Sequence, residues 1–268
     1  MASFITAGFF IFIVAVAMTM VGKGGGNFYV VFLVIAGIPI HEAATTGQFI
    51  LFSASIAAMI VFQKKKSVSW RLAILIGVFM ALSAFGGGYF SYLFSGFKLK
   101  MIFAALLILT GIFMLIPVSN RQASIEDKHF GVIRIRSGSE RYSVNLWIAL
   151  PVTILTGFAS GMVGVSGGSF LVPLMVLACG VPMHTAVGTA STLIAATAFM
   201  GFAGHALQGD FNPSWAIPLA VITITGGILG GKLALRTKPK HLKSLFAYTN
   251  WLAALFMVLN ALHTKGIF

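Results

Sequence analysis

The sequence predicts an all-α polytopic membrane protein built from two homologous repeats of about four to five helical segments each. The repeats are expected to be inverted, with broken or re-entrant helices. Three observations lead there: the scarcity of charge, the spacing of uncharged stretches, and an internal duplication. Hydrophobic residues make up 58% of the 268 positions and charged ones only 9%, against about 25% in a typical soluble domain. A soluble chain of this length could not cover its surface with so little charge, so lipid must be the solvent for much of it.

Uncharged stretches mark the elements. In the first half they cover residues 4–21, 27–38, 43–62, 72–94 and 101–116. The second half shows 144–163, 170–178, 186–204, 215–235 (charged only at Lys232 near its end) and 245–262. Spans near 20 residues cross a hydrocarbon core of about 30 Å, and the two short ones do not. The stretch 119–143 is polar with mixed charge and cannot cross hydrocarbon. Three regions follow: a first transmembrane repeat over 1–118, a polar cytoplasmic linker over 119–143, and a second transmembrane repeat over 144–268. The N-terminus lacks a basic segment before its apolar run, which points to a retained first helix and not a cleaved signal.

The duplication is visible by inspection. GKGGGNFYVVFLVIA-GIPIHEAAT, from Gly22, aligns with GVSGGSFLVPLMVLACGVPMHTAVG, from Gly164, with one gap after Ala36. Gly25/Gly167, Gly26/Gly168, Phe28/Phe170, Gly37/Gly180, Pro39/Pro182 and His41/His184 are among the identical pairs. Further on, Trp70 matches Trp215 and Gly86-Gly87 matches Gly230-Gly231. Apolar helices resemble one another by chance, whereas spaced Gly, Pro and His matches do not.

Charge sets the relative orientation. If each unit crossed four times the halves would be parallel, with ten Lys and Arg on one side and seven on the other. If each short helix and its successor form a re-entrant hairpin turning at Gly37-Ile38-Pro39, each unit crosses three times and the halves are inverted. Fourteen basic residues then lie inside against three outside, with Lys23 uncounted. The positive-inside rule prefers this arrangement, and inverted repeats recur in transporters. Five crossings per unit give the same parity, so the count does not separate those two schemes.

The formal charge of +13 is carried mostly by loops between apolar runs, so nucleic acid is not expected as a partner. The expected partners are a small anionic substrate and the lipid bilayer; a homodimer is compatible with the composition. Cys179 is the one cysteine, which excludes an intrachain disulfide and a Cys-rich metal site. No Ser/His/Asp arrangement, His-Glu-x-x-His motif or Walker-type loop is present, so no catalytic residue, metal or cofactor is predicted.

Two elements could carry chemistry. Gly24-Gly25-Gly26-Asn27 and Ser166-Gly167-Gly168-Ser169 each precede a short helix. Glycines let backbone N–H groups converge, and a helix N-terminus adds about half a positive charge. Together they form an anion site that needs no formal charge in the membrane. The same glycines would also serve close helix packing. The second element is the Pro-x-His turn, Pro39-Ile40-His41 and Pro182-Met183-His184. In the re-entrant scheme these turns lie near the midplane, where His41 and His184 could bind an oxyanion or take a proton; the alternative is an interfacial His that caps a turn. The helices starting there carry Thr45, Thr46 and Gln48, and Thr189, Ser191 and Thr192, as neutral donors. Glu42, with His41, is a candidate for proton coupling, and Lys23 is an alternative partner for it.

The segment GVSGGSFLVP at Gly164 and the PMHTAVGTA stretch at Pro182 resemble the signature of the sulfite exporter TauE/SafE family, also called the toluene-sulfonate uptake permeases. The first copy departs from it, with Lys23 after the first glycine and Val31 where Pro173 stands. The resemblance covers nearly the whole chain, since the duplicated helical layout is also the family's. It implies a permease for sulfite, an organosulfonate or a related sulfur-containing anion, in a bacterial or archaeal cytoplasmic membrane, and no enzymatic activity. An anion channel and a non-transporting membrane subunit or sensor are the competing readings.

Overall fold

The computed structural model describes residues 2–90, 96–115, 131–137, 140–163, 167–207 and 211–264. Among the described residues the fold is helical apart from one hairpin. In the first half α1 (Ala2–Met20), α2 (Gly26–Ile35), α3 (Ile40–Lys64), α4 (Trp70–Tyr89) and α5 (Gly96–Leu115) follow in order. A two-stranded antiparallel hairpin, β1 (Val132–Ser137) and β2 (Glu140–Asn145), comes next. The second half contains α6 (Leu146–Val163), α7 (Gly168–Pro173) continued by a π-helical turn (Leu174–Ala178), α8 (Met183–Ala206), α9 (Pro213–Arg236) and α10 (Pro239–Thr264). Among the described residues, four helical stretches are long and apolar enough to cross a membrane: Glu42–Lys64, Trp70–Gly87, Met183–Ala206 and Pro213–Arg236.

Helices from the two halves interleave. α3 packs on α8 and α9, α4 on α6 and α8, α1 on α9, and α5 on α10. Exchanging the halves maps this set of contacts onto itself. α3 and α8, which the sequence pairs with each other, run antiparallel. Gly188, early in α8, sits over Phe62 and the Ser67 carbonyl at the end of α3, while Gly201 sits over Gln48 near its start. α1, α3 and α9 run one way, and α4, α6 and α8 the other. Gly226 lies over Ala15 and Gly230 over the Val16 carbonyl, and Gly157 lies over the Met80 carbonyl with Gly161 over that of Ala84.

Small residues make these contacts for a physical reason. Lipid is as apolar as a leucine side chain, so helices gain little by hiding apolar surface from it. They associate by close van der Waals approach, which glycine permits. Gly226 and Gly230, like Gly157 and Gly161, are spaced four residues apart, on one helix face. Few polar bonds cross between these helices; one is Thr223 Oγ1 to the Ile50 carbonyl, 3.1 Å. The outward faces carry Ile74, Leu82, Leu155 and Val221, all strongly exposed, as a lipid-facing surface requires.

One face of the molecule is basic. α3 ends at Lys64, α4 begins at Trp70, α9 ends at Arg236 beside it, and α10 begins at Pro239. That brings Lys64, Lys65, Lys66, Arg71, Lys232, Arg236, Lys238, Lys240 and Lys243 to one side. The hairpin lies there too, because the Tyr142 hydroxyl bonds Ser69 Oγ. Its strands fall mostly inside the region expected to be a polar linker, and they bury Ile135, Tyr142 and Val144. Alternation of Ile133/Ile135 with Arg134/Arg136 has the period of a strand, so the sequence carries the signal of this hairpin.

The re-entrant scheme needs a correction. The hairpin is not α2 with α3, turning at Gly37-Ile38-Pro39; it is α1 with α2, turning at the glycines. α3 has 25 residues, which at 1.5 Å per residue reach about 37 Å and cross completely. Position 24 lies against Leu51 and Ser55, the middle of α3, and Ile194, the middle of α8. α2 then returns from mid-depth to the face where α1 began. The second half does the same in the opposite sense: Gly167 meets Met80 in the middle of α4, and α7 runs back to the basic face. The proline turns are therefore at the two surfaces. Gly37 and Gly180 have positive φ and open space where a Cβ would stand. Pro39 and Pro182 start α3 and α8 with almost the same backbone, φ −53°, ψ 145° and φ −57°, ψ 143°.

Candidate functional site

The two glycine turns meet at the centre of the molecule. α1 stops in a Schellman arrangement: the Lys23 N–H bonds the Met18 carbonyl at 2.9 Å and the Gly22 N–H bonds that of Thr19 at 3.1 Å, with Gly22 at φ +72°. Gly24 and Gly25 continue with φ +71° and +89°, a region where L side chains are strained. Across from them, a Cβ on Gly168 would overlap the Gly22 carbonyl oxygen and stand 2.9 Å from the Lys23 Cα. At Gly168 no side chain fits against the opposite turn.

This contact brings two helix N-termini together. In α2 the Phe28 and Tyr29 N–H groups bond the Gly25 carbonyl, and in α7 the Phe170 and Leu171 N–H groups bond that of Gly167. The N–H groups of Gly26 and Asn27, and of Gly168 and Ser169, precede the first helical bonds and have no acceptor within their own helices. Gly24, Gly25, Gly26, Gly167, Gly168 and Ser169 are all buried. The two turns share a sequence but not a conformation, since the residue capping α2 is left-handed while Gly167 has φ −70°. Ser166 lies outside the described residues, as does the side chain of Asn27.

Buried hydroxyls without partners surround the junction. Ser55 Oγ is 3.4 Å from where a Cβ on Gly24 would be, and Tyr29 Oη is 3.1 Å from the equivalent point on Gly25. Neither has a hydrogen-bond partner among the described residues. A buried hydroxyl left unbonded costs about 1–3 kcal/mol, and both groups are free to donate at this level. Gln48 lies seven residues before Ser55 on the same face of α3, and its Oε1 is also unpartnered, as is Thr46 Oγ1. Thr45, Thr46 and Gln48 are fully buried in the half of α3 away from the basic face.

Lys23 is a basic side chain at this level. Its Nζ donates to the Phe246 carbonyl at 2.8 Å and to Thr249 Oγ1 at 2.6 Å, and lies 4.3 Å from the centre of the Phe246 ring. Its side chain therefore reaches α10. Glu42 sits half-buried in the first turn of α3, where a carboxylate suits the helix dipole. Lys23 is level with Leu51, nine residues or about 13 Å along α3 from Glu42, so the two do not pair. Sequence reasoning passed over Ser55, Tyr29 and the destination of Lys23. A lone lysine between glycines in an apolar stretch was the available signal.

The remaining predicted residues are placed elsewhere. Thr189 Oγ1 accepts the Ser69 N–H at 3.0 Å and so caps the start of α4. Ser191 and Thr192 donate to the carbonyls of Val187 and Gly188 in their own helix. His184 does not lie at the midplane: it starts α8 at the basic face, with Nε2 3.0 Å from the Thr237 carbonyl at the end of α9. His41 starts α3 at the opposite face, and its side chain lies outside the described residues. The two histidines are thus a membrane thickness apart, because α3 and α8 are complete, antiparallel crossings.

A family profile described as "Sulfite exporter TauE/SafE" matches residues 7–257. Among curated proteins, a "Probable membrane transporter protein" of Xylella fastidiosa (strain 9a5c) is 30% identical over 240 residues, covering 86% of this chain and 85% of its own. One from Methanocaldococcus jannaschii is 28% identical over 263 residues, covering 92% of each. One from Bacillus subtilis (strain 168) is 24% identical over 227 residues, covering 80% and 81%. No solved structure matches the chain.

Proposed function

The chain belongs to the sulfite exporter TauE/SafE family of membrane transporters, and from that premise we propose a secondary permease for a small sulfur-containing oxyanion, sulfite or an organosulfonate. The substrate binds where the two glycine turns meet. The carrying observation is that two inverted half-helices bring their N-termini together at mid-depth, beside the unpartnered hydroxyls of Ser55 and Tyr29. Each N-terminus contributes about half a positive charge, so two together match a monoanion. Their N–H groups and the hydroxyls are neutral donors suited to oxygens spread around a tetrahedral or pyramidal sulfur. Discontinuous helices of this kind hold anionic substrates in other transporter folds.

The basic face is cytoplasmic by the positive-inside rule, and the membrane is the cytoplasmic membrane of a bacterium or archaeon. Uptake into proteoliposomes with labelled sulfite, an aryl sulfonate and a carboxylate of similar size tests the reading. Saturable uptake of one of the sulfur oxyanions, lost in a Gly168→Val variant that remains monodisperse, is expected. Saturable uptake confined to the carboxylate would replace the substrate class.

A further inference from the structure

A cavity lies away from the glycine junction. It occupies about 1210 Å³ between α3 and α9 on the outer side of the bundle. Phe52, Ile56, Ile60, Ile224 and Ile228 form its walls. Ile60 and Ile224 are exposed, so the groove opens sideways to the lipid phase. Its mouth is at the basic face and holds Lys64, Lys65, Lys232 and Arg236, with His184 and Ser67 beside them. All four cations are exposed, and among the described residues no carboxylate pairs with them.

We propose that this groove binds one anionic phospholipid of the cytoplasmic leaflet, its headgroup phosphate among the four cations and an acyl chain along the α3–α9 walls. The dimensions agree. From Phe52 to Lys64, and from Ile224 to Arg236, is twelve residues, or about 18 Å of helix, against about 15 Å for half a hydrocarbon core. The charge agrees as well, since basic pockets between helices on the cytoplasmic side suit anionic headgroups. The walls decide against a path for the transported oxyanion. Below the cations the polar side chain is Ser53, and its hydroxyl already donates to the Phe49 carbonyl at 3.0 Å. An oxyanion entering there would lose its hydration and meet no donors, whereas an acyl chain loses nothing.

The test uses the purified full-length chain in detergent. Phosphatidylglycerol and phosphatidylcholine with identical acyl chains compete for it, and bound lipid is read by native mass spectrometry. Retention of phosphatidylglycerol at least tenfold over phosphatidylcholine is expected. That preference should vanish when Lys64, Lys65, Lys232 and Arg236 are all changed to Gln. Ile60→Trp, which fills the groove from its open side and leaves every charge in place, should lower retention about tenfold. Equal retention of the two lipids, or a preference that survives both variants, overturns the proposal. Displacement of the lipid by millimolar sulfite would make the groove an anion vestibule. Loss of a dimer mass in Ile60→Trp would make it a contact between two copies.

Discussion

Gly168→Ala is the sharpest probe of the central junction. The new Cβ would overlap the Gly22 carbonyl oxygen and stand 2.6 Å from Ile194 Cδ1 and 2.9 Å from the Lys23 Cα. Ile194 can turn away. The other two atoms are backbone of the opposite turn and move only if that turn moves. Overpacking costs about 1–3 kcal/mol where neighbours can shift, so this site belongs at about 3 kcal/mol, a factor of about 150 in the folding equilibrium. At about 2–4 °C per kcal/mol, the unfolding midpoint in detergent should fall by about 6–12 °C. Gly188→Ala supplies the comparison, since its Cβ would overlap the Ser67 carbonyl in the α3–α8 contact at the basic face, away from the junction. Both variants should lose stability, but calorimetric affinity for sulfite should fall at least tenfold only in Gly168→Ala. Gly86→Ala, with nothing within 4 Å of its Cβ, should gain about 0.5–1 kcal/mol. A wild-type midpoint for Gly168→Ala would refute the contact between the turns, and unchanged affinity would remove the junction from the site.

Ser55→Ala and Tyr29→Phe each delete a buried hydroxyl without a partner; each should leave the unfolding midpoint unchanged or raised while weakening sulfite binding about tenfold, a loss of about 1.4 kcal/mol. Equal affinity in both by calorimetry would mean the hydroxyls face no ligand. His184→Ala should cost about 1 kcal/mol by thermal unfolding, from the lost bond to the Thr237 carbonyl, with sulfite affinity unaltered; a large drop in affinity would return His184 to the site. Lys66 holds φ +56° at the end of α3, so Lys66→Gly should stabilise by about 1 kcal/mol, and a lower midpoint would contradict that backbone. In a Cys179→Ala background, cysteines at Lys65 and Lys240 should label with membrane-impermeant reagent only from the cytoplasm and one at Ser214 only from outside. Labelling of Lys240 and Ser214 from the same side would break the antiparallel arrangement.

Much of the fold was legible because hydrocarbon imposes simple demands. Uncharged stretches of 20 residues, the polar 119–143 segment, and the lysines after residues 62 and 231 follow from what lipid and water tolerate. The glycine turns were legible as breaks before short helices, open to two readings, close backbone packing and an anion site. His41 and His184 were misplaced for an equally definite reason. Their turns repeat as faithfully as the glycine turns do, and repetition reports equivalence under the duplication, not depth. Ser55 and Tyr29 were passed over because an isolated hydroxyl in an apolar helix commonly bonds its own preceding turn, as Ser191 and Thr192 do.

The sequence by itself determined that the chain lives in lipid, that it is a duplication, and, through its family signature, that it is a transporter. Through the positive-inside rule it also favoured an odd number of crossings per repeat, because each added or removed crossing moves whole groups of lysines across the membrane. Only the tertiary structure decided which of two consecutive turns lies at mid-depth. Hydropathy measures the length of a segment, and α1, α2 and α3 can be paired into a hairpin in two ways with the same lengths and the same charge sides. The choice falls to packing. α3 is wedged along its whole length between α8 and α9 and must cross completely, while the glycines at 22–25 and 167–168 are the places where two backbones can touch. A turn buried at that depth must have its peptide groups met by protein or by a bound ion, and the facing glycine turn supplies that enclosure.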